Sequence, residues 1–175
     1  MVENSYGGFW RRAMAFSADK IILFFTSLFI LLIGMMALSI SFLSHYREIL
    51  PERFEETTMT FVFIYFFMTV FISMFYFTYF HGAGGQTPGK MIFGLKVVQT
   101  TGEQMTFGIA FLRWVGYIIS AAVFYLGFAW IAFDPKKQGW HDRIAGTVVV
   151  RVRNIVDGPA YAPDEKWLDK EGDFL

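Results

Sequence analysis

The chain has 175 residues and a formal net charge of zero; 55% of residues are hydrophobic, 20% aromatic and 17% charged. Soluble domains carry about 25% charged residues, and here the shortfall is concentrated in three long uncharged runs. Zero net charge gives no basic field for nucleic acid, and the lack of cysteine excludes disulfides, thiolate metal sites and cysteine nucleophiles.

The first run is Ile21 to Ser44, about 24 residues long. A helix crossing the hydrocarbon core needs about 20 apolar residues, so this run predicts a membrane span. A signal h-region is only about 7–15 residues, which argues against a cleaved leader. Arg11, Arg12 and Lys20 precede the run and favour a cytoplasmic N-terminus. The helix is expected to begin near Phe9 and to include both Arg12 and Asp19. Seven residues is nearly two turns, which sets these two side chains on one helix face about 10 Å apart. They cannot touch, so each needs a partner from elsewhere. Arg12 and Lys20 can anchor at the interface by snorkelling; the short carboxylate of Asp19 cannot, which makes it a functional or specifically paired group.

The second run, Thr57 to Phe80, is crowded with Phe and Tyr and reads as a lipid-facing span. The loop between the two runs has Arg47 and Arg53 beside glutamates, whereas the segment from His81 to Arg113 has Lys90, Lys96 and Arg113. The lysine and arginine bias places the first loop outside and the second inside. Within the second, Gly84-Gly85-Gln86-Thr87-Pro88-Gly89-Lys90 satisfies G-x-x-x-x-G-K. Met91 stands where a phosphate-binding loop needs Ser or Thr, and no strand precedes it, so nucleotide binding is not expected. Gly94 to Val98 reads as a short strand, and so does Gly146 to Val150.

The third run, Trp114 to Phe133, separates these strands. If they pair they share one side of the membrane, and Phe107 to Phe133 must be a bent or re-entrant helical pair, with Gly116, Ser120 and Gly127 as places to bend or pack closely. Lys136, Lys137, Arg143, Arg151 and Arg153 after the run also favour the cytoplasm. The alternative is a single crossing with the C-terminus outside. Beyond Arg153 the chain is broken by Asp157-Gly158-Pro159 and Pro163 and becomes acidic, which predicts a solvated tail over 154–175. No internal repeat is evident in the sequence, so the repeat signature of many transporters is missing. The expected fold is an all-α transmembrane bundle with a small cytoplasmic two-stranded β element, over residues 1–153.

Chemistry, if any, belongs to charges near the apolar runs. In Asp134-Pro135-Lys136-Lys137-Gln138-Gly139-Trp140-His141-Asp142-Arg143, Asp142 is the expected partner of Arg12, and Arg143 of Asp19, with Arg113 a further partner. Such a network can shift pKa values and serve proton or cation exchange, or it can lock helices together. The remaining histidines, His45 and His81, give no metal-ligand spacing with His141. No catalytic pairing is evident, and neither an enzyme nor a cofactor is expected.

These motifs together resemble the RDD family, named for one arginine and two aspartates. The resemblance rests on Gly8 to Asp19, Gln86 to Lys90 with Gly94 to Val98, Leu112-Arg113, and Gln138 to Thr147, in order over residues 8–152. It implies that Arg12 is the family arginine, Asp19 and Asp142 the aspartates, and Gly89, Lys90, Gly146 and Thr147 part of the motif. Some members look like sodium–proton antiporters and a eukaryotic relative looks like an assembly factor. The resemblance therefore implies either cation and proton exchange, with Asp19 and Asp142 titrating and Arg12 as charge partner, or a membrane scaffold in which the same charges fix packing. Expected partners are lipid, further copies or a membrane complex, and monovalent cations and protons if it exchanges them. The expected location is a bacterial inner membrane.

Overall fold

The computed structural model describes residues 6–44 and 51–152, with side chains from residue 55 in the second stretch. His45, Arg153 and the acidic tail lie outside the described residues. The chain divides into two compact units: residues 20–75, and a discontinuous unit of residues 1–19 and 76–175.

Helix α1 spans Phe9–Ser44 and α2 spans Pro51–Gly84. At 1.5 Å per residue the 36 residues of α1 reach about 54 Å, against about 30 Å of hydrocarbon. The helix is long enough to cross the bilayer and still keep its charged first turns outside the hydrocarbon. Its uncharged length is unburied: Phe24, Phe25 and Phe29 are 62–65% exposed, as are Phe63 and Phe66 of α2 at 64% and 60%. Apolar surface of this extent needs lipid, and both helices meet the requirements for crossing it. Within residues 20–75, Phe61 sits directly on Gly34, and Ser27 Oγ bonds Tyr65 Oη at 2.5 Å. Small and hydroxyl residues let membrane helices approach closely in this way.

The discontinuous unit is built on two strands. A short helix, α3 (Pro88–Ile92), leads into β1 (Leu95–Gln99), and β2 (Thr147–Arg151) pairs with β1 antiparallel, Leu95 facing Arg151 and Gln99 facing Thr147. Each strand starts one residue later than the sequence suggests. Gly94 and Gly146 adopt φ of +62° and +60°, a left-handed turn that ends the preceding helix and that glycine enters without steric cost. Tyr6 bridges to Val150, and Gly7 N–H donates to the Val149 carbonyl at 2.8 Å. Ala15, Leu95, Val97 and Val149 form the core beneath the sheet.

The third apolar run is a bent pair: α4 (Phe107–Ala122) and α5 (Leu126–Ala129), the latter continued by a 3₁₀ turn, Trp130–Ala132. The two arms meet at 110°. A straight third crossing would hold β1 and β2 about 30 Å apart; their pairing excludes it. The bend is not at the glycines. It falls at Phe124 and Tyr125, which take φ of +49° and +59°, while Gly116 packs on His141 and Gly127 on Ser120.

Residues 85–99 and 137–151 are two copies of one structure, an internal repeat that the sequence reading missed. Each copy opens on a left-handed residue (Gly85 at φ +69°, Lys137 at φ +51°), forms a short helix (α3, and α6 at Trp140–Ile144), turns at a left-handed glycine and ends in a strand. Gln86 and Gln138 occupy the same position and make the same bond, each amide donating at 2.8 Å to the first carbonyl of its strand, Leu95 or Thr147. The strand pairing is symmetric about the equivalent residues Val97 and Val149, so a local two-fold relates the copies.

Candidate functional site

The repeat sets Lys90 and Asp142 at equivalent positions of α3 and α6, and the charged cluster is assembled around them. Asp142 is fully buried. Its Oδ2 accepts the Gly139 N–H at 2.9 Å, which caps α6, and also accepts from Arg12 Nη2. Its Oδ1 lies 2.6 Å from Arg113 Nη1. Burial raises the Asp142 carboxyl, but the guanidiniums of Arg113 and Arg12 outweigh it and hold the group far below the usual carboxylate range. Arg12 also donates to the Lys137 carbonyl, and Arg113 to Tyr117 Oη at 3.1 Å and Thr147 Oγ1 at 2.5 Å. The arginine donors are thus spread over both ends of the second repeat.

Asp19 is buried on the same face of α1 as Arg12, but its partners are neutral. Tyr76 Oη donates at 2.8 Å, Thr87 Oγ1 at 2.6 Å and the Gly89 N–H at 2.8 Å. Thr87 caps α3 and Pro88 follows it, which presents the free Gly89 N–H at the first turn. Gly89 is required for this contact: a Cβ there would lie 2.3 Å from the Ala15 carbonyl oxygen.

The expected Arg143–Asp19 pair does not form. Arg143 pairs with Asp134, and its side chain is 54% exposed. One residue along a helix turns the side chain by about 100°, so with Asp142 facing inward Arg143 must point elsewhere. Asp134 is held below its usual range despite its burial, by the Gln138 N–H and Arg143. Of the residues singled out from sequence, Arg12, Asp142 and Arg113 meet directly, Gly89 meets Asp19, and Thr147 bonds Arg113. Gly146 supplies the turn before β2, and Arg143 stands apart.

Three contributors were not anticipated. Tyr76 and Thr87 complete the Asp19 site. His81, noted from sequence only as giving no metal-ligand spacing, bonds Lys90: its Nε2 lies 3.1 Å from Lys90 Nζ and its Nδ1 2.8 Å from the Phe77 carbonyl. Nδ1 therefore carries the proton and Nε2 accepts from the ammonium. Burial pushes the Lys90 pKa down. The signal for this pair was its nine-residue spacing across the end of α2, which has no fixed periodicity to read. His141 is packed against Tyr117 and Phe128 at ring distances of 4.6 and 4.8 Å, and burial lowers its pKa well below the ordinary value. Among the described residues no group of three His, Asp or Glu side chains is placed to hold a metal.

Arg12, Lys90 and Arg113 face a cavity of about 260 Å³ whose remaining wall is largely aromatic, including Phe16, Tyr125 and Phe128. It lies where the first turns of α1 meet residues from both copies of the repeat.

The model of the RDD family matches residues 6–146. Two proteins of Bacillus subtilis strain 168 are similar over more than four-fifths of the chain. One, the uncharacterized protein YxaI, is 36% identical over 145 residues, 82% of this chain and 95% of its own length. The other, the uncharacterized membrane protein YteJ, is 32% identical over 153 residues, 86% of this chain and 84% of its own length. A proline-rich antigen homolog of Mycobacterium tuberculosis is 35% identical over 75 residues, 42% of this chain and 31% of its own. No solved structure matches.

Proposed function

The chain belongs to the RDD family of membrane proteins, and from that premise we propose that it is a non-enzymatic scaffold or assembly protein in which the arginine and aspartates of the cluster hold the fold together. The observation that carries this reading is the enclosure of both carboxylates by protein groups. Asp142 is shared by two guanidiniums, and Asp19 accepts from three donors, each at 0% exposure. A carboxylate that exchanges cations needs an open oxygen; these have none facing water. Buried pairs of this kind cost several kcal/mol when one partner is removed, which suits a clasp. With Arg11, Arg12 and Lys20 at the start of α1, the N-terminus and the paired strands face the cytoplasm of a bacterial inner membrane. Its partners are further copies of the chain or other membrane proteins.

Cation and proton exchange is the second reading, favoured by one arrangement. The Lys90–His81 pair lies beside a cavity between repeat copies, and many transporters bind their substrates between internal repeats. Exchange would then run through Lys90, not Asp19 or Asp142. Proteoliposomes carrying the full chain, with imposed sodium or potassium gradients and an internal pH dye, separate the two. The scaffold reading expects no proton movement from wild type, and loss of folded protein from the membrane in Asp142→Asn. Cation-driven proton movement that disappears in a well-folded Lys90→Gln protein would replace it with exchange.

A further inference from the structure

Apart from the Asp134–Arg143 pair, whose arginine is exposed, the buried charges of the discontinuous unit do not balance. Among the described residues, Arg12, Lys90 and Arg113 are buried with Asp19 and Asp142, while Asp134 is matched by Arg143. That leaves one cation in excess. The two arginines share the Asp142 carboxylate; Lys90 is hydrogen-bonded to the neutral imidazole of His81, and the Asp19 carboxylate acts on it only through space. All three cations border the same cavity.

The cavity's other wall is apolar and aromatic. Tyr125, at the bend between α4 and α5, is 60% exposed, and its neighbour Phe124 is 90% exposed. Both hold φ in the left-handed region, which bulky residues rarely adopt, and such strain clusters at ligand clamps. A volume of about 260 Å³ is below the roughly 300–1,000 Å³ of sites that enclose a drug-sized molecule. It fits a head group whose apolar body lies outside. Two arginines and a lysine supply more donors than a carboxylate accepts, and suit the several oxygens of a phosphate.

We propose that this cavity binds a singly charged phosphodiester with an apolar body and no cation of its own, a phospholipid head group or a soluble phosphodiester, with Lys90 as its unmatched cation and the aromatic wall against its apolar part. A phosphodiester carries one negative charge and balances the buried excess. This ligand site stands apart from both readings of the aspartates: it needs the cavity and Lys90, and it predicts binding whether or not protons move.

The full chain in a neutral detergent is titrated with phosphatidylglycerol, with phosphatidylcholine of the same chain length, and separately with methyl phenyl phosphate, a soluble diester. Thermal unfolding and native mass spectrometry read binding. Phosphatidylglycerol at a hundredfold excess over its Kd raises Tm by roughly 5–10 °C, and phosphatidylcholine does not. Two variants remove the effect. Lys90→Gln deletes the unmatched cation, and Ser17→Glu places a carboxylate at an exposed position of the cavity wall without removing a buried group, so it keeps the fold even if Lys90→Gln does not. A Tm shift with methyl phenyl phosphate that both variants abolish identifies a soluble diester as the ligand. No shift with any of these compounds, or an equal phosphatidylglycerol shift in wild type and in folded Ser17→Glu, overturns the proposal.

Discussion

At the scale of single residues, the two aspartates of the cluster differ in what replaces their charge. Asp142→Asn leaves Arg12 and Arg113 buried without a full counter-charge, and breaking a buried pair costs about 3–5 kcal/mol. Asp19→Asn keeps a neutral oxygen that can accept from Tyr76 and Gly89 and loses the bond from Thr87, about 1.5–3 kcal/mol. Thermal unfolding in detergent is expected to rank Asp142→Asn as the more damaging. Acid has a related effect. The folded His141 ring stays neutral well below its ordinary value of 6.5, so the unfolded state binds more protons there and stability falls as pH drops through that region. Asp142, held far below its ordinary 3.8, is charged in the fold and protonates on unfolding, which adds a second loss below that value. Each group contributes at most about 1.4 kcal/mol per pH unit. Unfolding measured from pH 7.5 to 2.5 should show both regions, and His141→Gln should lessen the slope of the upper one.

At the scale of elements, the repeat makes a comparison possible between two residues in the same conformation. Gly85 and Lys137 open the two copies with positive φ. At Gly85 a Cβ would also meet the Val97 carbonyl oxygen at 2.4 Å, so Gly85→Ala is expected to destabilise by more than the roughly 1–2 kcal/mol of left-handed strain alone. Lys137→Gly relieves that strain at the cost of chain entropy and is expected to leave Tm unchanged or raised by a few degrees. Much at this scale was legible in the sequence. The start of α1, both strands and the Arg12–Asp142 partnership followed from helix spacing, valine runs and the need of a buried charge for a partner. The repeat was not, because its two copies share only scattered residues such as Gln86 and Gln138, Gly94 and Gly146, and Val97 and Val149. What they share is backbone geometry, a left-handed residue before the helix and another after it. The Arg143–Asp19 pairing failed for a similar reason: charge complementarity names a partner, but only the rotation of α6 decides which of two adjacent side chains faces inward.

At the scale of the whole molecule, the pairing of β1 with β2 joins the residues before and after the bent α4–α5 pair, so both flanks of that pair share one side of the membrane. Cysteines introduced at Glu103 and Lys136, both exposed, should react with an impermeant maleimide from the same face in oriented vesicles; labelling from opposite faces would break the sheet. The chain has no cysteine of its own to interfere. The same sheet gathers the two short helices beside the first turns of α1, and this gathering makes a cluster out of residues 130 positions apart, Arg12 and Asp142.

That clasp is tested most directly by a double-mutant cycle of Arg12→Met and Asp142→Asn, read as unfolding free energy in detergent. The double variant is expected to lose less stability than the sum of the two single variants, by about 1–3 kcal/mol. Single losses that simply add, to within about 0.5 kcal/mol, would mean that the arginine and the aspartate do not hold one another, and the structural role assigned to them would be wrong.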